Sequence, residues 1–82
     1  MSETEYLEIK ENDTDLVQKV AALIRTRREE LGMSLSLLSK LSGVERANIS
    51  RIERGKRPGV TFVIVVKLFT ALKIDFAAID DL

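Results

Sequence analysis

The chain has 82 residues, of which 45% are hydrophobic and 32% charged, and its formal net charge at pH 7 is zero. This length allows one domain, and the apolar fraction is sufficient for a folded core and too high for a disordered chain. No apolar run approaches the roughly 20 residues that a membrane-spanning helix needs. The N-terminus lacks the features of a signal peptide, and there is no cysteine, so we expect a cytoplasmic protein without disulfides.

The first dozen residues are strongly acidic. Residues 1–15 contain six acids and one lysine, whereas residues 16–57 contain ten bases and four acids. Residues 1–12 are therefore predicted to form a short acidic arm, in which pairing with another chain, packing on the core and disorder all remain open. A basic centre of this kind favours an anionic partner such as nucleic acid. An ordinary solvated surface is the alternative interpretation.

The folded domain is predicted to cover residues 13–82. Its first helix is expected to begin near Asp13 or Thr14, since either residue can cap a helix. Gly32 follows the last apolar residue at helical spacing and is expected to end this helix.

Two short helices joined by a tight turn are predicted next. Ser34 can cap the second helix, and its apolar stripe consists of Leu37, Leu38 and Leu41. The third helix follows Gly43 and ends at Gly55, with Ile49 and Ile52 facing inward. Two helices joined in this way form a helix-turn-helix, which offers its second helix to the major groove of DNA.

The last third of the chain is predicted to contain two more helices, which gives an all-α fold. Thr61 can cap the fourth helix over residues 62–72, whose length argues against the strand that its β-branched residues favour. Asp75 can cap a short fifth helix. The core candidates of this part, some of which are alternatively dimer contacts, are Val60, Phe62, Phe69, Phe76, Ile79 and Leu82.

The outer face of the third helix carries the candidates for reading bases. At about 100° per residue, Ala47, Ser50 and Arg51 lie opposite the inward isoleucines, flanked by Arg46 and Asn48. Arginine can bond both major-groove acceptors of guanine, and Ala47 can pack on a thymine methyl group. The alternative is that these side chains simply face solvent.

A second set of residues is predicted to contact phosphates. Arg54, Lys56 and Arg57 supply positive charge at the end of the third helix and in the loop behind it. Ser34 and Thr61 lie at helix starts, where exposed amides and the helix dipole attract an anion. Ordinary capping is the alternative role of these two residues, and both roles can hold together.

No catalytic residue, metal ligand or cofactor site is predicted. The chain has no histidine and no cysteine, and the Asp80-Asp81 pair has no second cluster of ligands. The four glycines are scattered, so they form no phosphate-binding loop. A binding protein is therefore expected rather than an enzyme.

Three segments resemble the phage repressor and Cro-like helix-turn-helix family: IRTRREELGMS, LLSKLSGVERANISRIERGKRPG and VVKLFTALKI. The resemblance covers roughly residues 17–79. It implies a five-helix repressor-like bundle, a recognition role for the third helix and operator binding by a dimer. It also implies that Arg28 and Glu53 bridge helices 1 and 3.

The chain departs from this family at two positions. Leu35 replaces a glutamine that usually contacts a phosphate and braces the recognition helix, and leucine cannot make that hydrogen bond. Glu45 replaces the serine or threonine that usually caps the recognition helix. Its carboxylate would repel a nearby phosphate, but it can favour the helix dipole or accept from a cytosine amino group.

The leading hypothesis is a regulator, most simply a repressor, that binds a palindromic operator in double-stranded DNA as a homodimer. Two recognition helices would then enter successive major grooves about 34 Å apart. Phage-type repressors and restriction-modification controllers both fit this description. The alternative is an antitoxin-type interaction module whose acidic arm binds a toxin partner and orders on contact, while the protein regulates its own operon.

Overall fold

The computed structural model describes residues 14–56 and 60–81. It contains four α-helices and a terminal 3₁₀ helix, with these bounds: α1 Thr14–Glu30, α2 Leu35–Ser42, α3 Arg46–Glu53, α4 Phe62–Leu72 and the 3₁₀ helix Phe76–Asp81. The two described ranges contain no strand, which confirms the all-α prediction. The predicted acidic arm over residues 1–12, the possible Asp13 cap, Arg57 and Leu82 lie outside the described residues.

The fifth predicted helix is a short 3₁₀ helix rather than an α-helix. Its start is fixed by Asp75, whose Oδ1 accepts a hydrogen bond from the Ala77 backbone N–H at 2.9 Å. The segment has six residues, which is long for a 3₁₀ helix, since runs of more than three or four residues are uncommon.

The turn between α1 and α2 is closed by backbone and side-chain caps. Gly32 has a φ of +62°, and the Met33 N–H reaches back to the Arg28 carbonyl at 3.0 Å. This hydrogen bond ends α1 as a glycine-based C-terminal cap. Ser34 then caps α2, because its Oγ accepts from the Leu37 N–H at 3.0 Å. Both predicted boundaries are confirmed.

The turn between α2 and α3 sets the angle between the two helices. Gly43 has a φ of +78°, and its N–H donates to the Ser39 carbonyl at 2.9 Å. The Ser39 hydroxyl donates to the Val44 carbonyl at 2.6 Å, while the Val44 N–H donates to Ser42 Oγ at 3.1 Å. Three local hydrogen bonds therefore hold this short turn.

The core lies where the four α-helices meet. Its buried side chains are Val20, Ile24, Leu38, Val44, Ile49, Ile52, Val60, Val65, Leu68, Phe69 and Leu72. The predicted leucine stripe of α2 is wrong in part, because Leu37 and Leu41 are 44% and 56% exposed and only Leu38 is fully buried. Leu35 also packs against the core, so the inward face of α2 lies between Leu35 and Leu38; at about 100° per residue, Leu41 and Leu37 both fall to one side of that face.

Two of the aromatic core candidates are on the surface. Phe69 and Val60 are buried as expected and Ile79 is partly buried, whereas Phe62 and Phe76 are 63% and 41% exposed. The Phe76 ring lies 4.8 Å from that of Phe69 and 6.0 Å from that of Phe62. We call Phe62 and Phe76 the aromatic patch. They remain exposed because no element in the described part of the chain covers this face.

None of the described helices is long and apolar enough to cross a membrane.

Candidate nucleic-acid interface

The outer face of α3 and the start of α2 enclose an open depression of about 350 Å³. It is lined by Leu35, Arg46, Ala47, Ser50, Arg51 and Arg54. Three of these six side chains carry a positive charge, and no acidic side chain is among the described residues that line it. The depression is therefore a concave cationic surface on the helix that the sequence predicts to enter the major groove.

The three arginines keep most of their donors free for a ligand. Arg46 Nη1 donates to Ser36 Oγ at a long 3.4 Å, and Arg54 Nε donates to the Ser50 carbonyl at 3.2 Å. None of the salt bridges between described residues involves Arg46, Arg51 or Arg54. Unpaired guanidinium groups on a solvent-facing helix are suited to guanine edges and phosphate oxygens.

The predicted base-reading residues are largely brought together. Arg46, Ala47, Ser50 and Arg51 all line the depression. Asn48 does not line it, and its side chain is half-buried. This position agrees with its expected place at the side of the helix face.

The residues predicted to contact phosphates are spread over the depression, the end of α3 and the starts of α2 and α4. Arg54 shares the depression, Lys56 is exposed just beyond α3, and Arg57 lies outside the described residues. Ser34 caps α2 and directly precedes Leu35, which lines the depression. Thr61 caps α4 through a 3.3 Å hydrogen bond from the Ile64 N–H.

A bidentate ion pair fixes α3 against α1. Arg28 Nε donates to Glu53 Oε2 at 2.7 Å, and Arg28 Nη2 donates to Glu53 Oε1 at 2.9 Å. The side chains are only 16% and 6% exposed. Arg28 Nη1 also donates to the Met33 carbonyl at 2.9 Å. The pair that the family resemblance implies is thus present as a contact, and it joins the ends of two helices and the turn between α1 and α2.

The pair also determines the charge state of Arg28. The hydrogen bonds to Glu53 raise the pKa of the Arg28 guanidinium above its ordinary value, and this effect exceeds the lowering caused by burial. Arg28 consequently remains protonated at every pH at which the protein would operate. The contact that orients α3 therefore does not depend on the ionisation of Arg28 in that range.

A second contact between α1 and the end of α3 was not predicted from the sequence. Gln18 Nε2 donates to the Gly55 carbonyl at 3.2 Å, and a Cβ atom at position 55 would overlap the Gln18 side chain. Gln18 thus holds the turn that leads from α3 to Lys56. No sequence pattern indicated this role, because a glutamine on a polar helix face is an ordinary surface residue.

The two departures from the resembling family have different structural settings. Leu35 is half-buried, packs against the core and also lines the depression. Glu45 occupies the N-cap position of α3, is exposed, and makes no side-chain capping hydrogen bond. Leu35 therefore changes the chemistry of the depression itself, whereas Glu45 leaves the first amides of α3 uncapped by a side chain.

The described residues contain no group of three or more histidine, cysteine, aspartate or glutamate side chains arranged to hold a metal ion. The depression offers a ligand guanidinium and hydroxyl donors, together with the apolar side chains of Leu35 and Ala47.

Comparisons with known proteins agree with this geometry. The HTH-type transcriptional repressor RghR of Bacillus subtilis (strain 168) is 43% identical over 53 residues, which are 65% of this chain and 39% of that protein. The restriction-modification controller C.AhdI from Aeromonas hydrophila is 35% identical with a TM-score of 0.69, over 77% of this chain and 94% of that chain. The controller C.Esp1396I, as a tetramer in complex with its natural 35 base-pair operator, is 29% identical with a TM-score of 0.72, over 80% and 86% of the two chains.

The segment shared with the Bacillus repressor spans well under half of that relative's length. The model of the helix-turn-helix family HTH_3 matches residues 24–79, which are more than half of this chain. That range begins within α1 and contains α2, α3, α4, the first part of the 3₁₀ helix, the Arg28–Glu53 pair and the complete cationic depression. The chain belongs to the HTH_3 helix-turn-helix family.

Proposed function

We propose that the protein is a sequence-specific DNA-binding transcriptional regulator, most simply a repressor, that acts on a palindromic operator as a homodimer. The observation that carries the proposal is the cationic depression on α3, in which Arg46, Arg51 and Arg54 have no anionic partner among the described residues. A similar bacterial protein is named a transcriptional repressor, and a similar controller has been crystallised on its operator. Both similarities support the same function.

The roles within the interface follow from position along α3. Arg46, Ala47, Ser50 and Arg51 are assigned to base edges, with Asn48 at the side of the same surface. Arg54, Lys56, Arg57, Ser34 and Thr61 are assigned to phosphates, which fix the register of the protein without reading sequence.

The aromatic patch is assigned to the dimer contact. Phe62 and Phe76 expose aromatic rings at the start of α4 and on the 3₁₀ helix, and the adjacent Val63 is 60% exposed. Apolar side chains grouped in this way on a small domain favour association. A second copy that packs there would bring two recognition helices to one operator.

The test of the function is the selection of binding sites from a random duplex library, followed by affinity measurements against salt concentration. A specific regulator should yield a palindromic site, and its binding should weaken steeply as salt rises, because phosphate contacts release counterions. Recovery of no preferred sequence, or binding that does not depend on salt, would contradict the proposal.

The variant Arg51→Ala tests the assignment of Arg51 as a base-reading residue. It should reduce affinity for the selected site by about 1–3 kcal/mol while it leaves binding to random sequence nearly unchanged. Arg25→Ala is the matched control, since Arg25 is an exposed arginine of α1 that pairs with Glu29 outside the depression. If specific and random binding fall equally, Arg51 contacts a phosphate and its assignment is wrong.

A further inference from the structure

We propose that Leu35 and Ala47 form an apolar notch that receives the C5 methyl group of a pyrimidine in the major groove. The ligand chemistry is shared by thymine and 5-methylcytosine. The inference rests on the proposed DNA binding and adds the chemical group that this protein recognises.

The notch is defined by the residues that line the depression. Leu35 and Ala47 are its two apolar side chains, and the other four bear guanidinium or hydroxyl groups. Leu35 begins α2 and Ala47 belongs to the first turn of α3. The two helices of the helix-turn-helix therefore each contribute one apolar side chain to the same cationic depression.

Packing holds the notch in place. Leu35 is half-buried and packs against the core, so its remaining exposed surface has a fixed position. Ala47 has only a methyl group and no rotamer freedom. The complementary group needs no reorganisation of the protein to fit between them, which lowers the entropic cost of the contact.

Chemistry selects the occupant. Among the atoms that B-DNA presents in the major groove, the C5 methyl group of thymine is the apolar feature, while the other readable positions are hydrogen-bond donors or acceptors. Leu35 cannot donate to a phosphate or accept from an amino group, so a polar contact there would leave the DNA group unpaired. A methyl group forms no hydrogen bond with water, so its contact with leucine and alanine leaves no polar group unpaired.

The flanking charges place this methyl group beside a guanine. Arg46 directly precedes Ala47 and Arg51 lies one turn after it, and both line the same depression. A guanidinium that bonds N7 and O6 of guanine therefore has the apolar notch next to it. We assign the notch to a methylated pyrimidine that adjoins a guanine in each half-site.

The experiment uses the operator selected above and measures Kd by fluorescence anisotropy. Each thymine of one half-site is replaced in turn by deoxyuridine, and each cytosine in turn by 5-methyldeoxycytidine. At one position we expect deoxyuridine to weaken binding about three- to fourfold, the effect of losing one buried methyl group. If the notch instead faces a cytosine of the selected operator, no deoxyuridine substitution should have this effect, and 5-methylation of that cytosine should strengthen binding by about the same factor. The two arms therefore distinguish the two sources of the methyl group.

Protein variants identify which residues sense the methyl group. Leu35→Gln should abolish the difference between methylated and unmethylated pyrimidine, and Leu35→Met, which stays apolar, should retain it. Leu41→Gln should also retain it, because Leu41 is a 56% exposed leucine of the same helix that does not line the depression. Ala47→Ser changes an exposed residue, so it should not disturb the core. It should reduce the difference in affinity between methylated and unmethylated pyrimidine, and it tests the notch even if Leu35→Gln does not fold.

Three outcomes would overturn the proposal. Affinity that changes less than twofold at every substituted pyrimidine would mean that Leu35 meets the sugar or solvent instead. A methyl effect of equal size in the wild type, Leu35→Gln and Ala47→Ser would place the methyl group against other residues. Failure to select any operator would instead remove the proposed function, and the notch with it.

Discussion

Glu53 is the only charged residue among the buried residues that the structure describes. Its carboxylate accepts both parallel bonds from Arg28, which is the arrangement that compensates most fully for removing two charges from water. The pair holds the inner side of the helix whose outer side carries the cationic depression. Its contribution is therefore to the orientation of α3 as much as to stability.

We expect Glu53→Ala to unfold at a clearly lower temperature than Arg54→Ala. Removal of one partner from a buried ion pair costs about 3–5 kcal/mol, because the remaining charge is left without its partner. Arg54 follows Glu53 directly, is exposed and forms no salt bridge with a described residue, so its loss should change stability little. Thermal unfolding followed by circular dichroism gives both midpoints, and equal values would show that the pair contributes nothing.

Helical periodicity predicted the residues that α3 contributes to the depression, whereas the other contacts of the site depend on tertiary structure. A helix with Ile49 and Ile52 inside must present Ala47, Ser50 and Arg51 outside, so the sequence was sufficient for these. The bond from Gln18 to Gly55 joins positions 37 residues apart, and no local pattern specifies such a contact. The sequence identified Leu35 as a departure from a family pattern, but its place in the depression depends on the angle between α2 and α3.

At the scale of the elements, α4 shows how packing overrides local preference. Its segment FVIVVKLFTAL is rich in β-branched residues that favour strands. It nevertheless forms a helix that buries Val65, Leu68, Phe69 and Leu72. The length of the segment allowed the helix to be predicted, because about a dozen residues exceed a usual strand. The type of the last helix was not predictable in this way, since six residues carry too little periodicity to separate α from 3₁₀ geometry.

The C-terminal end of α4 carries a correctable strain. Lys73 has a φ of +56°, while its N–H donates to the carbonyls of Phe69 and Thr70. A side chain in this left-handed region costs about 1 kcal/mol relative to glycine. We expect Lys73→Gly to raise the melting midpoint by about 4–8 °C, the shift that 1 kcal/mol produces in a domain of this size.

Lys40→Gly is the control for that variant. Lys40 lies within α2 and is also exposed, so the same change there should lower the midpoint, since glycine costs about 0.5–1 kcal/mol inside a helix. The two variants should therefore shift in opposite directions in the same calorimetric experiment. A loss of stability in both would show that the conformation of Lys73 is not strained.

For the whole molecule, the proposed dimer contact at the aromatic patch can be tested by its effect on self-association. We expect Phe62→Ser to weaken self-association, measured by sedimentation velocity, because Phe62 is 63% exposed at the proposed dimer contact. Its affinity for a palindromic operator should fall as well, while binding to a single half-site should not. Leu37→Ser, which alters a 44% exposed leucine on α2, should leave the sedimentation coefficient unchanged. Equal association of both variants would place the contact elsewhere.

Two successive residues of α1 bind two different helices. Arg28 holds Glu53 of α3, while Arg27 Nε donates to the Leu72 carbonyl at the end of α4, at 3.1 Å. In the proposed dimer, α1 would thus connect the groove-facing helix with α4, the helix that begins at Phe62 of the aromatic patch. Two adjacent side chains of a helix that itself reads no base would then determine the distance between the half-sites along the duplex. Substitution of Arg27 should therefore change the preferred number of base pairs between the half-sites, as measured with operators of varied spacing, and leave the preferred base sequence of each half-site unchanged.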